Sequence, residues 1–441
     1  MNSAILTVVV FALIYVWLIF GRGRRAEAVW AGVAALVVLP LLTGGRPVVG
    51  PGDLFALRNA SWASINWNVI GIFSGTMLVA EVLIYSGVPA LCADVLIDRS
   101  PNVAWAILSV CAFSGFISMV ADNTATVLIV APIAMALARK LGVRAAPFVI
   151  GLAVSANLQG TATLIGDPPS MILAGYLRLN FNDFFWYGGR PGIFFAVQAG
   201  AVAGFTVLWL IFRRYRQPIA LLKPEKPKSW FPAVVLGLMI CGLAGASQVD
   251  RNFVWFGAFN CLTAGAVVMT WLFIRDRASA LRILKSFDFN TLFFLSGVFM
   301  MVYALRQSGA IEAAARGVAG LTGSRVAGAF VLVVGLSMVL SAFVDNIPFV
   351  AVMLPLVDAV GRDMGLPQAN MLLPFGLLIG ACLGGNITPI GASANVVAYG
   401  LLNRTEGEGI SFMDFVKVGL PFTLAAVTAG AAFLWVTWAW L

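Results

Sequence analysis

VADNTATVLIVAPI at residues 120–133 and VDNIPFVAVMLPL at residues 344–356 are two versions of one phrase. A second phrase follows each of them: GTATLIGDPPSMI at residues 160–172 returns as GNITPIGASANVV at residues 385–397. The alignment extends outward in order. Asn68 and Ser86 match Asn290 and Ser308 at an offset of 222; Asp122 and Pro132 match Asp345 and Pro355 at 223; Gly160, Thr163 and Gly166 match Gly385, Thr388 and Gly391 at 225. Rare polar residues carry the match, so it reflects an internal duplication and not the general resemblance of Gly- and Ala-rich helices.

The medium around these phrases is apolar. The chain is 61% hydrophobic and 11% charged, against about a quarter charged for soluble domains, and the sequence reads as an all-α polytopic membrane protein. Stretches such as 4–20, 193–212 and 255–273 are each long enough to cross a hydrocarbon layer of about 30 Å. They lack the alternation that a membrane barrel requires. The first stretch has no basic residues before it and GRGRR after it, so it is expected to be a retained helix and not a cleaved signal. A net charge of +9 raises nucleic acid as a partner, but most Lys and Arg fall in short loops beside apolar segments, which points to the bilayer. Histidine is absent and the five cysteines form no CxxC pair. No metal centre and no full disulfide set is expected. GxSxG, HExxH and P-loop motifs are missing, which argues against an enzyme and against ATP coupling within this chain.

Each half reads alike: two spans (near 4–20 and 28–44; near 230–246 and 255–274), a third (near 66–88; near 289–307), and an apolar stretch that turns back at the Asp-Asn step (103–139; 326–362). A broken span (146–177; 370–402) and a closing span follow. Residues 1–213 form the first repeat, 214–229 a charged, proline-bearing linker, and 230–441 the second. Five crossings per half is odd, so the repeats are expected to be inverted, with a site at the midplane between them. That count sends GRGRR, Arg139, Lys140, Arg144, 213–228 and 275–285 to one side. Isolated Arg46, Arg58, Arg190 and Arg251 go to the other. The positive-inside rule makes the first side cytoplasmic and both termini external; the acidic loop 403–414 fits this poorly.

The candidate site follows from what a membrane does not tolerate. A charge at the centre of a spanning helix costs about 2.5–3.5 kcal/mol even on the lenient insertion scale. Asp122 and Asp345 incur that cost twice, at equivalent places. Asn123, Thr124 and Asn346 add oxygens beside them. Capping of short helices is the plainer role; an acid at both tips points further, to transport of ions or protons. The second phrase breaks its helix at Gly160, Gly166, Pro168 and Pro169, and at Gly384, Gly385, Pro389 and Gly391, which exposes backbone groups to solute. Thr161, Thr163 and Asp167 line one break; Asn386, Thr388, Ser393 and Asn395 line the other. Asp167 faces Ala392 in the alignment, so solute and coupling ion are expected to divide between copies. Glu81 reads as a proton relay or a paired glutamate, Asp358 as a solvated hairpin end, and Cys382 as a small buried residue or a ligand for a thiophilic solute.

At ADNTATVLIVAP, GTATLIGDPP, VDNIP and GNITPIGASANVV the chain resembles the ArsB/NhaD group of the ion-transporter superfamily, over nearly its whole length. That group holds arsenite permeases, NhaD-type sodium–proton antiporters and the melanosomal P protein. The resemblance implies re-entrant hairpins, a scaffold with a moving transport domain, a homodimer, an elevator-like motion and residence in the cell membrane. The Asp-Asn steps stand where related divalent-anion/sodium symporters carry Ser-Asn-Thr. Carboxylates there weaken a sodium-coupled dicarboxylate reading. The function implied is export of arsenite or antimonite driven by the proton motive force, with a cytoplasmic ATPase subunit as a partner of such exporters. The alternative is sodium–proton antiport; an organic-anion transporter and a passive channel stand behind both. No cofactor is expected beyond H⁺ or Na⁺ as coupling ion.

Overall fold

The computed structural model describes residues 3–20, 24–42, 65–140, 142–218, 226–250, 253–323, 325–367, 369–405 and 410–439. Arg46, Arg58, Arg251 and part of the linker, of GRGRR and of the acidic loop lie outside them. The first half runs Ser3–Phe20 (α1), Arg25–Leu42 (α2), Trp67–Tyr85 (α3), Val88–Asp98 (α4), Val103–Ser118 (α5), Asn123–Lys140 (α6), Ala146–Gly160 (α7), Pro168–Leu177 (α8) and Ile193–Phe212 (α9). The second runs Phe231–Val249 (α10), Phe256–Arg275 (α11), Arg277–Ser286 (α12), Phe289–Gln307 (α13), Ala310–Leu321 (α14), Val326–Ser341 (α15), Asn346–Asp363 (α16), Leu372–Gly384 (α17), Ser393–Thr405 (α18) and Phe412–Trp438 (α19). Apart from α12, the halves repeat the same order of helices.

Local chemistry sets the boundaries twice over. Asn66 caps α3 by accepting from the Val69 amide at 3.2 Å, and Asp288 caps α13 by accepting from the Thr291 amide at 2.9 Å. Such side-chain oxygens satisfy amides that a helix start leaves orphaned. The helices α3 and α13 both stop at a Ser-Gly step, where Gly87 (φ 76°) and Gly309 (φ 72°) take the left-handed turn into α4 and α14. The sequence expected the third span to continue to 88; this turn ends it at Tyr85. Short α4, α12 and α14 were not expected. Nor was a two-residue antiparallel ribbon, Trp186–Tyr187 against Arg190–Pro191, the only strands among the described residues.

Six helical stretches among the described residues are long and apolar enough to cross a membrane: α2, α3, α9, α11, residues 277–307 and α19. The first arm of each hairpin, α5 and α15, is shorter at 16 residues. At about 1.5 Å per residue, α5 with its 16 residues spans about 24 Å, less than a hydrocarbon core of about 30 Å. The chain turns at Asp122 and at Asp345, as expected. Pro132 and Pro355 sit at matching places inside α6 and α16. Pro348 lies in the first turn of α16, where its missing N–H leaves no bond unmade.

The packing is reciprocal. Helix α11 lies along α3 and α2 along α13; α5 lies on α7 and α15 on α17; α9 lies on α19. The halves also cross over, with α16 against α8 and α18 against α6. Helix α17 is buried at every residue and α7 at every residue but Pro147. The two broken elements therefore form the centre of the molecule, and the hairpins meet them there.

Candidate transport site

Each tip is built by its own helix start. Asp122 Oδ2 accepts from the amides of Thr124 (2.8 Å) and Ala125 (3.0 Å). Asp345 Oδ1 accepts from the Ile347 amide at 3.0 Å. Beside each acid the asparagine turns inward: Asn123 Oδ1 accepts from the Ser118 hydroxyl, and Asn346 Oδ1 from the Ser341 hydroxyl. The broken helices lock onto the tips in the same duplicated way. The Thr163 hydroxyl donates to the Met119 carbonyl and that of Thr388 to the Ala342 carbonyl. At Gly160 a Cβ would collide with the Asn123 amide; at Gly385 it would stand 2.8 Å from the Gly391 carbonyl and 3.0 Å from Asn346 Oδ1. Close approach of backbone to an amide side chain is what these two glycines permit.

Between the tips, the breaks and α3 lies a cavity of about 300 Å³. Of the candidate residues, Asp122, Asn123, Thr124, Asp167, Asp345, Asn346 and Ser393 line it. Gly160, Thr161, Thr163, Gly385, Asn386, Thr388 and Asn395 do not; they lie behind the wall and hold it. Thr161 donates to the Asn157 carbonyl at 3.1 Å, and Asn395 Nδ2 to the carbonyls of Gly385 (2.9 Å) and Thr388 (3.2 Å).

Sequence reading left three further wall residues unassigned or undecided. Glu81 from α3 and Asp288 from the start of α13 bring the carboxylates on the wall to five, and among the described residues no Lys or Arg lines it. Asn157 from α7 also faces the cavity. It stands opposite Cys382 in the alignment, so duplication could not flag it; the surviving signal is an amide inside a largely apolar run that also holds Ser155 and Gln159.

The two acids at the tips are not equivalent. Arg25, the last residue of GRGRR, reaches Asp345 with Nη1–Oδ2 at 2.5 Å, its side chain 44% exposed against 13% for the acid. Tyr15 on α1 donates to the Pro348 carbonyl beside it. No ion pair reaches Asp122 among the described residues. Asp358, read as solvated, is instead held by Tyr176 Oη (3.1 Å) and Arg362 Nη1 (3.0 Å). Cys382 is fully buried.

Residues 15–380 match the family described as citrate transporter, CitMHS. The chain belongs to that family. An uncharacterised transporter of Mycobacterium bovis is 30% identical over 98% of each chain. The mouse P protein is 25% identical over 97% of this chain and 59% of its own length. Among solved structures, the Alcanivorax borkumensis YdaH transporter has a TM-score of 0.60 at 16% identity, covering 99% of this chain and 98% of that one. Neisseria gonorrhoeae MtrF, described within a class of antimetabolite efflux pumps, has a TM-score of 0.56 at 13% identity over 98% of both chains. The family is one of transporters and the fold is a transporter fold. The multi-pass, all-α architecture expected from composition is therefore what the chain has.

Proposed function

We propose that this chain is a proton-coupled secondary transporter of the ArsB/NhaD kind that exports arsenite, and antimonite with it, as the neutral hydroxide. One observation carries the reading: five carboxylates line a single cavity, and among the described residues the one basic side chain paired with any of them is Arg25, at Asp345. Such a wall suits protons, cations and neutral solutes. It does not suit a multiply charged carboxylate, for which unpaired like charge in a poorly hydrated site is costly. Substrate specificity in this branch then departs from the citrate in the family's description.

Asp122 and Asp167 are the proton carriers in this scheme. Asp345, paired with Arg25, serves as a fixed anion that secures the second tip while α1 and α2 hold it. The duplicated hairpins and broken helices support an elevator-like exchange of access between repeats inverted in the membrane, in a homodimer, with both termini external. A cytoplasmic ATPase subunit is a candidate partner. Sodium–proton antiport is the second reading, favoured by the hydroxyls of Thr76, Thr124 and Thr291, which stand with the acids on the wall.

Everted vesicles separate the two. Uphill arsenite uptake that collapses with a protonophore supports export. Sodium-induced proton release without arsenite movement replaces it with antiport. Downhill arsenite flux alone, indifferent to the protonophore, points to a passive channel.

A further inference from the structure

The orientation of one buried amide follows from backbone carbonyls that can only accept. Asn395 Nδ2 must face the carbonyls of Gly385 and Thr388, and Asn386 Nδ2 faces that of Val154 at 3.2 Å. Both therefore turn Oδ1 toward Asn157. Two acceptors leave Asn157 no choice: its Nδ2 donates to Asn386 Oδ1 at 2.8 Å and to Asn395 Oδ1 at 2.9 Å, which uses both of its hydrogens. All three side chains are buried, Asn157 with 2% of its surface exposed. Among the described residues nothing donates to Asn157 Oδ1, yet it is not one of their enclosed unpartnered atoms. Its residue lines the cavity, and the cavity is where that oxygen opens.

We infer that Asn157 Oδ1 is a fixed hydrogen-bond acceptor for the transported solute, and that it sets specificity for uncharged hydroxides over oxyanions. An amide held by one of its own neighbours could flip to offer N–H to an anion. This one cannot, because a flip would set its oxygen against two others and strand its N–H₂ in the cavity. The arrangement selects a solute bearing O–H donors and penalises one bearing only acceptors. Asn157 bridges first-repeat α7 to the second repeat's broken element, so the acceptor is also placed where the halves meet. This inference rests on the proposed export function for its substrate class, but its readout does not.

The test uses purified full-length protein, in detergent for binding and in proteoliposomes for flux. Arsenous acid and boric acid, both uncharged at pH 7, and citrate are the probes, read by titration calorimetry. The wild type is expected to bind a neutral hydroxide and to ignore citrate. Asn157→Ala is expected to weaken that binding, and to raise KM for arsenite flux, about tenfold (~1.4 kcal/mol) with kcat kept. A purely structural role would lower kcat and folded yield and leave KM alone. Unchanged affinity in Asn157→Ala, or citrate preferred by the wild type, overturns the inference. Should Asn157→Ala not fold, Asn157→Ser, which is shorter than asparagine and withdraws the amide oxygen from the cavity, is read against the same outcomes. Asn157-dependent binding of a neutral hydroxide without arsenite flux sinks the export reading and leaves this one standing.

Discussion

Asp122→Asn separates coupling from folding. The side chain it alters accepts two amide hydrogens at 2.8 and 3.0 Å to start α6. Asparagine caps a helix about as well as aspartate, so expression and melting temperature should stay near wild type. What is lost is the exchangeable proton. A membrane potential supplies about 2.3 kcal/mol per charge per 100 mV, and at about 1.4 kcal/mol per decade one proton supports a roughly 40-fold gradient of a neutral solute. The assay is arsenite accumulation in everted vesicles at imposed potentials, with counterflow at zero potential as the control. The variant should equilibrate arsenite by counterflow but hold an accumulation ratio near one at every potential. Accumulation that still climbs with potential as in wild type would refute Asp122 as a proton carrier.

Gly160→Ala and Gly385→Ala should both be damaging, since one Cβ lands on the Asn123 amide and the other stands 2.8 Å from the Gly391 carbonyl. A cost of about 1–3 kcal/mol each should appear as lower yield and melting temperature; wild-type stability of either variant would contradict this packing. Arg25→Gln removes a half-exposed pair worth under about 1 kcal/mol, yet should cut uphill transport at least about tenfold by leaving Asp345 uncompensated at the tip. Arg25→Lys should restore it, and full activity in the glutamine variant would remove Arg25 from the mechanism. Asp276, capping α12 at the end of α11, is pulled down to about 2, first by the Ser279 hydroxyl and then by its amide, with Tyr85 adding a third bond. Because its folded value lies below the ordinary carboxylate range, its stabilisation is full above about pH 4 and fades as pH falls through 2. The melting-temperature difference between wild type and Asp276→Asn should be flat from pH 5 to 8 and shrink in acid; a difference that grows in acid would overturn the assignment.

Much of the site was legible because membrane burial is intolerant of polar residues. An Asp-Asn step kept in two places inside apolar sequence has few reasons to exist, and the tips and breaks appeared where it stood. The hidden parts lacked that duplicate. Asn157 has a cysteine opposite it, Glu81 a tyrosine and Asp288 an asparagine, Asn66. Arg25 read as part of a basic cytoplasmic loop because its partner, at the start of α16, lies 320 residues away. The short α4 and α14 escaped notice for a different reason. Both follow a Ser-Gly step whose left-handed glycine redirects the chain, and apolar composition alone does not mark a change of direction.

The central claim is that the carboxylate-lined cavity exchanges protons for a neutral solute. Purified protein in proteoliposomes loaded with a pH-sensitive dye, with an arsenite gradient and no ion gradient imposed, tests it most directly. The account predicts proton movement opposite in direction to arsenite, absent without arsenite and absent in Asp122→Asn. Arsenite flux with a silent dye, or proton movement that answers to sodium alone, would contradict it.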